Sequence, residues 1–114
     1  MAQLHPVISI RIHHNEKCFG PGVAQLLRQV QQTYSLRGAA MAVGMAYSKA
    51  WTIMRRSEQE LGFPLLVYST GGKHGGGAVL TAEGLRFLEA YERYAAKLTA
   101  DAEAHFQEAF RDFL

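Results

Sequence analysis

The sequence predicts a mainly α fold with a small β-hairpin and a long C-terminal helix. Three observations carry this prediction. Apolar residues recur at helical spacing in four stretches. Two short β-prone runs, residues 65–69 and 78–80, flank a segment holding five glycines. From Ala82 onward no proline interrupts a helical pattern that continues almost to the end.

The elements follow in order. Residues 7–14 read Val-Ile-Ser-Ile-Arg-Ile-His-His, a β-branched period-two pattern that predicts a half-buried strand. Phe19-Gly20-Pro21-Gly22 is a turn, and Pro21 is placed to open a helix. Val23, Leu26, Leu27 and Val30 define a first amphipathic helix over about residues 22–33. Ser35 is a candidate N-cap for a second helix over 36–43. Gly44 ends that helix in the left-handed conformation a sharp exit needs. Helical spacing resumes through Ala46, Ala50, Trp51, Ile53, Met54 and Leu61, giving a third helix over about 46–61 that Gly62 and Pro64 terminate. Thr81 caps the last helix, expected over 82–113, with Glu83 in its first turn. Residues 1–114 read as a single domain.

Helix, sharp turn, helix and hairpin together are the layout of a winged helix-turn-helix. Two steeply crossed helices need small residues where they touch, which Ala40 and Ala50 supply, and Gly44 supplies the turn. The second helix of the pair would enter a major groove of double-stranded DNA. Tyr47, Ser48 and Lys49 at its start would bring a ring, a hydroxyl and a cation to base edges and phosphates. Trp51 is ambiguous: a core or helix–helix anchor is favoured over direct contact with DNA. The wing, residues 69–78, offers Ser69, Thr70, Lys73 and His74 to a DNA backbone or minor groove.

Charge is consistent with this. Net charge is only +2. Between residues 36 and 77, however, Arg37, Lys49, Arg55, Arg56 and Lys73 face only Glu58 and Glu60, whereas beyond residue 81 acidic residues outnumber basic ones. Hydrophobic residues make up 48% of the chain and charged ones 19%, which excludes a disordered chain. A single cysteine, Cys18, precludes an internal disulfide. With no secretory leader visible at the start and no apolar stretch of membrane-spanning length, a cytoplasmic protein without membrane attachment is expected. His13, His14 and Cys18 lack a second ligand pair, and His5 and His105 are isolated, so no metal is expected. No nucleophile motif or paired carboxylates stand out, so neither catalysis nor a cofactor is expected.

The residues also resemble a known family. Gly44-Met45-Ala46-Tyr47-Ser48-Lys49-Ala50-Trp51 is similar to the recognition-helix entry of ModE-type, molybdate-responsive bacterial regulators. Residues 69–78, followed by Leu80-Thr81-Ala82-Glu83-Gly84, resemble their wing and following helix, and Phe19-Gly20-Pro21-Gly22 with Leu26-Leu27 resembles the lead into their first helix. LysR-type DNA-binding domains share the plan more distantly. The resemblance implies a dimer on a two-half-site operator, with Tyr47, Ser48, Lys49 and the wing around Lys73 against DNA. The chain departs from the pattern at Arg37, Gly38, Met41 and Ala46; Arg37 would add a phosphate contact, and Ala46 removes a cap. The molybdate-binding modules of full-length members have no counterpart before Leu114, so no effector-binding domain is expected and a signal would come from a separate effector-sensing protein.

In the last helix Leu88, Tyr91, Ala95, Leu98 and Ala102, with Phe106, repeat at three-four spacing. A helix of about 30 residues spans roughly 45 Å, more than so small a domain covers, so this stripe is expected to form a homodimer. Two readings remain open: a stand-alone regulator of transcription that binds DNA, and a winged-helix protein-interaction module that binds no DNA.

Overall fold

The computed structural model describes residues 3–70 and 76–114. The expected wing-tip residues Lys73 and His74 lie outside this set. The chain forms β1 (Ile12–His13), β2 (Lys17–Phe19), α1 (Pro21–Thr33), α2 (Leu36–Ala42), α3 (Tyr47–Leu61), β3 (Leu66–Tyr68), β4 (Ala78–Leu80) and α4 (Ala82–Ala109), then a single 3₁₀ turn, Arg111–Phe113. This is a winged helix-turn-helix with a long C-terminal helix.

The first three helices form where the apolar periodicity places them, because each buries its stripe in one shared core. Val23, Leu26, Leu27 and Val30 of α1 meet Leu36, Ala39 and Ala40 of α2 and Ala50 and Met54 of α3, all buried. Ser35 caps α2 by accepting the Gly38 N–H at 3.0 Å. Gly44 adopts φ +72°, and the Met45 N–H returns to the Ala40 carbonyl at 2.8 Å. The chain therefore turns within the four residues 43–46, and the small Ala40 and Ala50 let α2 and α3 approach. Ala46 opens α3 without a side-chain cap, and Gly62 closes it at φ +83°.

The wing is an antiparallel pair with Leu66 opposite Leu80 and Tyr68 opposite Ala78. Ala78 also donates its N–H to the Tyr34 carbonyl at the end of α1 (2.8 Å), which fastens the hairpin to the helices. Thr81 joins wing to α4: its hydroxyl accepts from Gly84 N–H at 2.8 Å and donates to the Pro64 carbonyl at 2.7 Å.

Four expectations need correction. The predicted strand over 7–14 shrinks to Ile12–His13, because only Lys17–Phe19 lies alongside to pair with it. Alternation describes which faces a segment presents; a strand also needs a neighbouring backbone. Phe19, expected in a turn, ends β2 and is fully buried, with its ring 4.7 Å from Phe87 and 5.0 Å from Tyr91. The last α-helix stops at Ala109 rather than near residue 113. Leu88 and Tyr91, expected on a dimer face, lie in this chain's own core, and the Tyr91 hydroxyl donates to the Ile10 carbonyl at 2.8 Å. A helix packed on a domain at one end must give its first apolar turns to that domain. Gly84, Leu88 and Tyr91 are the buried residues of α4, and beyond them it projects from the core.

Candidate nucleic-acid interface

The helix α3 presents one face to the core and the other to solvent. At about 100° per residue, the buried Ala50, Met54 and Ser57 lie opposite a ridge of Ser48, Thr52, Arg55 and Gln59, all exposed. Lys49 and Arg56 flank the ridge on one side. Tyr47 and Trp51 flank it on the other, toward the wing. Among the residues anticipated from sequence, Ser48 and Lys49 are exposed and Tyr47 is half-buried.

Tyr47 is half-buried because Arg37 covers it: the guanidinium carbon sits 4.2 Å from the ring centroid. This contact brings the starts of α2 and α3 together. Ser35, Arg37, Tyr47, Tyr68, Ser69 and Gly77 line a depression of about 280 Å³ between the helix pair and the wing base. Ser69 Oγ accepts the Gly77 N–H at 3.0 Å and closes the base of the hairpin. A Cβ at Gly77 would stand 3.0 Å from the Tyr34 carbonyl oxygen, so this close approach favours glycine. Thr70 is exposed beside Ser69. Of the anticipated contact residues, Ser35, Arg37, Tyr47 and Ser69 are thus brought together and Ser48 and Lys49 lie further along α3, while Lys73 and His74 are outside the described residues.

Trp51 is not the core anchor its hydrophobicity predicts. It is 40% exposed, with its ring 5.7 Å from Tyr68 of β3 and the Arg55 guanidinium 5.5 Å above it. Burial pushes the Tyr68 phenol up to about 12, with Glu58 adding to the rise and Arg55 opposing it. In the sequence Arg55 stands out only by its charge, and Thr52 carries no signal of its own. The signal that finds both is the α3 period continued two turns beyond Ser48.

The acidic residues of α3 are turned away from this surface. Glu58 lies three residues after Arg55 and Glu60 four after Arg56, spacings at which helix ion pairs form. Neither pair exists. Glu58 Oε2 accepts the backbone N–H of Leu65 (2.7 Å) and Leu66 (3.2 Å), at the start of the wing. Glu60 Oε1 accepts those of Asn15 (3.1 Å) and Glu16 (2.9 Å), in the β1–β2 turn. Among the described residues no carboxylate lies within ion-pairing distance of Arg55 or Arg56. The Ser57 hydroxyl donates to the Cys18 carbonyl, so Ser57, Glu58 and Glu60 together lock the end of α3 to its surroundings. Burial raises the Cys18 thiol pKa, and that thiol donates to the Ile12 carbonyl at 3.3 Å.

Among the described residues no cluster of three or more metal-ligating side chains occurs, and no helix is long and apolar enough to cross a membrane.

A sharply turned helix pair, an exposed basic second helix and an attached hairpin define the winged helix-turn-helix class of regulatory proteins. Residues 23–85 match the family described as bacterial regulatory helix-turn-helix protein, lysR family, and the chain belongs to it. It is also similar to a molybdenum-pterin-binding protein and to proteins named as transcriptional regulators. It is 38% identical over 81 residues to the molybdenum-pterin-binding protein MopB of Rhodobacter capsulatus, covering 68% of this chain and 30% of that protein. Over 72 residues it is 36% identical to the transcriptional regulator ModE of Haemophilus influenzae, covering 63% of this chain and 28% of the relative. With the DNA-binding transcriptional dual regulator ModE of Escherichia coli K12 it shares 33% over 89 residues, covering 77% and 34%. The chain thus spans about a third or less of the length of the curated relatives it matches. The family is one of regulators, not enzymes.

Proposed function

We propose that this chain is a ModE-like unit of transcription regulation that binds double-stranded DNA as a homodimer. The observation that carries the reading is the division of charge on α3. Its arginines and Lys49 stand exposed, while its two carboxylates are engaged by backbone N–H groups elsewhere. A phosphate backbone approaching this face meets cations without intervening carboxylates.

In this reading residues 46–61 enter the major groove, and the wing, residues 69–78, lies on the backbone or in the minor groove. Ser35, Arg37, Tyr47, Ser48, Lys49, Ser69, Thr70, Lys73 and His74 form the contact set. Because the described residues share one core, 1–114 act as a single winged unit. Beyond that core, Ala95, Leu98, Ala102 and Phe106 lie half-buried along one stripe of α4, beside the exposed Tyr94, Phe110 and Phe113. Pairing this distal stripe with that of a second copy relates two recognition helices by a two-fold axis, the symmetry of a palindromic operator. Any effector signal arrives through another domain or a separate protein.

The test is selection of binding sites from a genomic duplex library, followed by titration against salt. The expected result is a discrete two-part site whose affinity falls steeply with salt and falls further in Lys49→Ala and Lys73→Ala chains that still fold. No duplex binding at low salt would overturn the reading and leave the protein-interaction alternative.

A further inference from the structure

We infer that Arg55 is a base-reading residue of α3 that selects a guanine in each half-site, and that Trp51 is the positioning residue that aims it. The inference rests on the DNA-binding reading above. It starts from where Arg55 stands. The ridge of Ser48, Thr52, Arg55 and Gln59 is the part of α3 furthest from the core, so it would reach deepest into a groove. Lys49 and Arg56, on its flank, would instead face a phosphate wall.

Position along the helix, two turns beyond Ser48, would by itself argue against Arg55. Side-chain direction answers this. Helical side chains lean toward the N-terminus, and the Arg55 guanidinium lies over the Trp51 ring one turn back. The cationic head is thereby carried toward the end of α3 that enters a groove. The ring beneath it is itself braced by Tyr68 of the wing strand, 5.7 Å away at 52°. Arg55 and the wing are therefore oriented as one unit.

Two further observations favour base readout over a purely structural arginine. Glu58, the carboxylate at ion-pairing spacing, is held by the Leu65 and Leu66 N–H groups. Thr52, the ridge neighbour, donates its hydroxyl to the Ser48 carbonyl at 3.0 Å, so that donor is already engaged within the helix. A planar guanidinium held against a ring and free of a carboxylate matches the O6 and N7 acceptors of guanine in bidentate fashion.

The test compares site selection by the wild-type chain, Arg55→Ala, Arg55→Lys, Trp51→Ala and Trp51→Phe, with thermal melting of each to confirm folding. The wild type should select a site with a required guanine in each half. Arg55→Ala should lose discrimination at that base pair by about ten- to a hundredfold while the other positions stay selected. Arg55→Lys should lose part of it, because an ammonium lacks the fixed planar fork of a guanidinium and does not stack on the Trp51 ring in the same way. Trp51→Ala should weaken the same position and no other, and Trp51→Phe, which keeps a ring, should restore part of the preference. The inference is overturned if the operator has no required guanine, or if Arg55→Ala lowers affinity equally for all sequences, as loss of a phosphate contact would. Failure of the wild type to select any site would sink the DNA-binding reading and this assignment with it.

Discussion

The carboxylate of Glu58 accepts the backbone N–H of Leu65 at 2.7 Å, and Leu65 is fully buried. This one side chain joins the end of the recognition helix to the start of the wing. Replacing it with alanine leaves two inner N–H groups without their acceptor. Glu58→Ala should destabilise the fold by about 1–3 kcal/mol, measured by urea unfolding. Glu58→Gln, which keeps a carbonyl oxygen, should lose less. Equal stability of all three chains would refute the clamp.

Gly84 sets two effects against each other. Alanine is the better helix former by about 1 kcal/mol. Yet a Cβ at Gly84 would stand 2.5 Å from the Leu65 carbonyl oxygen and 3.1 Å from its Cα. Backbone cannot swing aside as a side chain does, so the clash wins. Gly84→Ala should lower stability by about 1–3 kcal/mol, seen as a depressed melting temperature; a raised one would contradict the close packing of α4 on the wing base.

The distal half of α4 gives a test of assembly. Leu98→Glu should shift the chain from dimer to monomer in sedimentation velocity while leaving its helical content intact, because Leu98 lies beyond the core. Leu88→Ala should instead unfold the domain partly, by about 2–5 kcal/mol, because Leu88 is fully buried. A wild-type chain that sediments as a monomer at high concentration would refute the dimer.

Arg28 and Glu92 tie α1 to α4, with Arg28 Nε donating to Glu92 Oε2 at 3.0 Å. The Arg28 hydrogen bond holds the Glu92 carboxyl below its ordinary value of 4.5, against a smaller opposing effect of burial. A depressed carboxylate stabilises the fold above its unfolded pKa, and that contribution is lost as pH falls through the folded pKa. Stability of the wild type should therefore drop below about pH 4.5 more steeply than that of Glu92→Gln. Both side chains are about 40% exposed, so solvent screening limits the difference to about 1 kcal/mol or less. Parallel curves for the two chains would show the pair to be silent.

Local signals explain which parts were legible from sequence. Ser35, Gly44, Gly62 and Thr81 act within a few residues of themselves, and each cap or turn forms where its chemistry requires. The apolar stripe of α1 forms as expected, since Val23, Leu26, Leu27 and Val30 are nearly inaccessible. Trp51 stays ambiguous in the sequence, with a core anchor favoured, because hydrophobicity cannot distinguish a ring inside a core from one laid across a wing strand. Glu58 and Glu60 enter the sequence reading only as charge; their carboxylates accept instead from N–H groups that the turns after α3 and β1 leave unpaired.

The winged helix-turn-helix, then, was written in the sequence: periodicity, caps and glycines act locally, and the wing and α4 resemble a known family over the same residues. What only the tertiary structure decided is which polar groups remain available on α3. Leu88 and Tyr91 became core and not interface because α4 must bury its first turns on Phe19 and its neighbours. Arg55 kept its charge exposed because the nearby carboxylates are engaged by distant backbone. Both outcomes follow from one physical fact: a buried N–H or an apolar face takes whichever partner the fold brings to it, and that partner is seldom a neighbour in sequence.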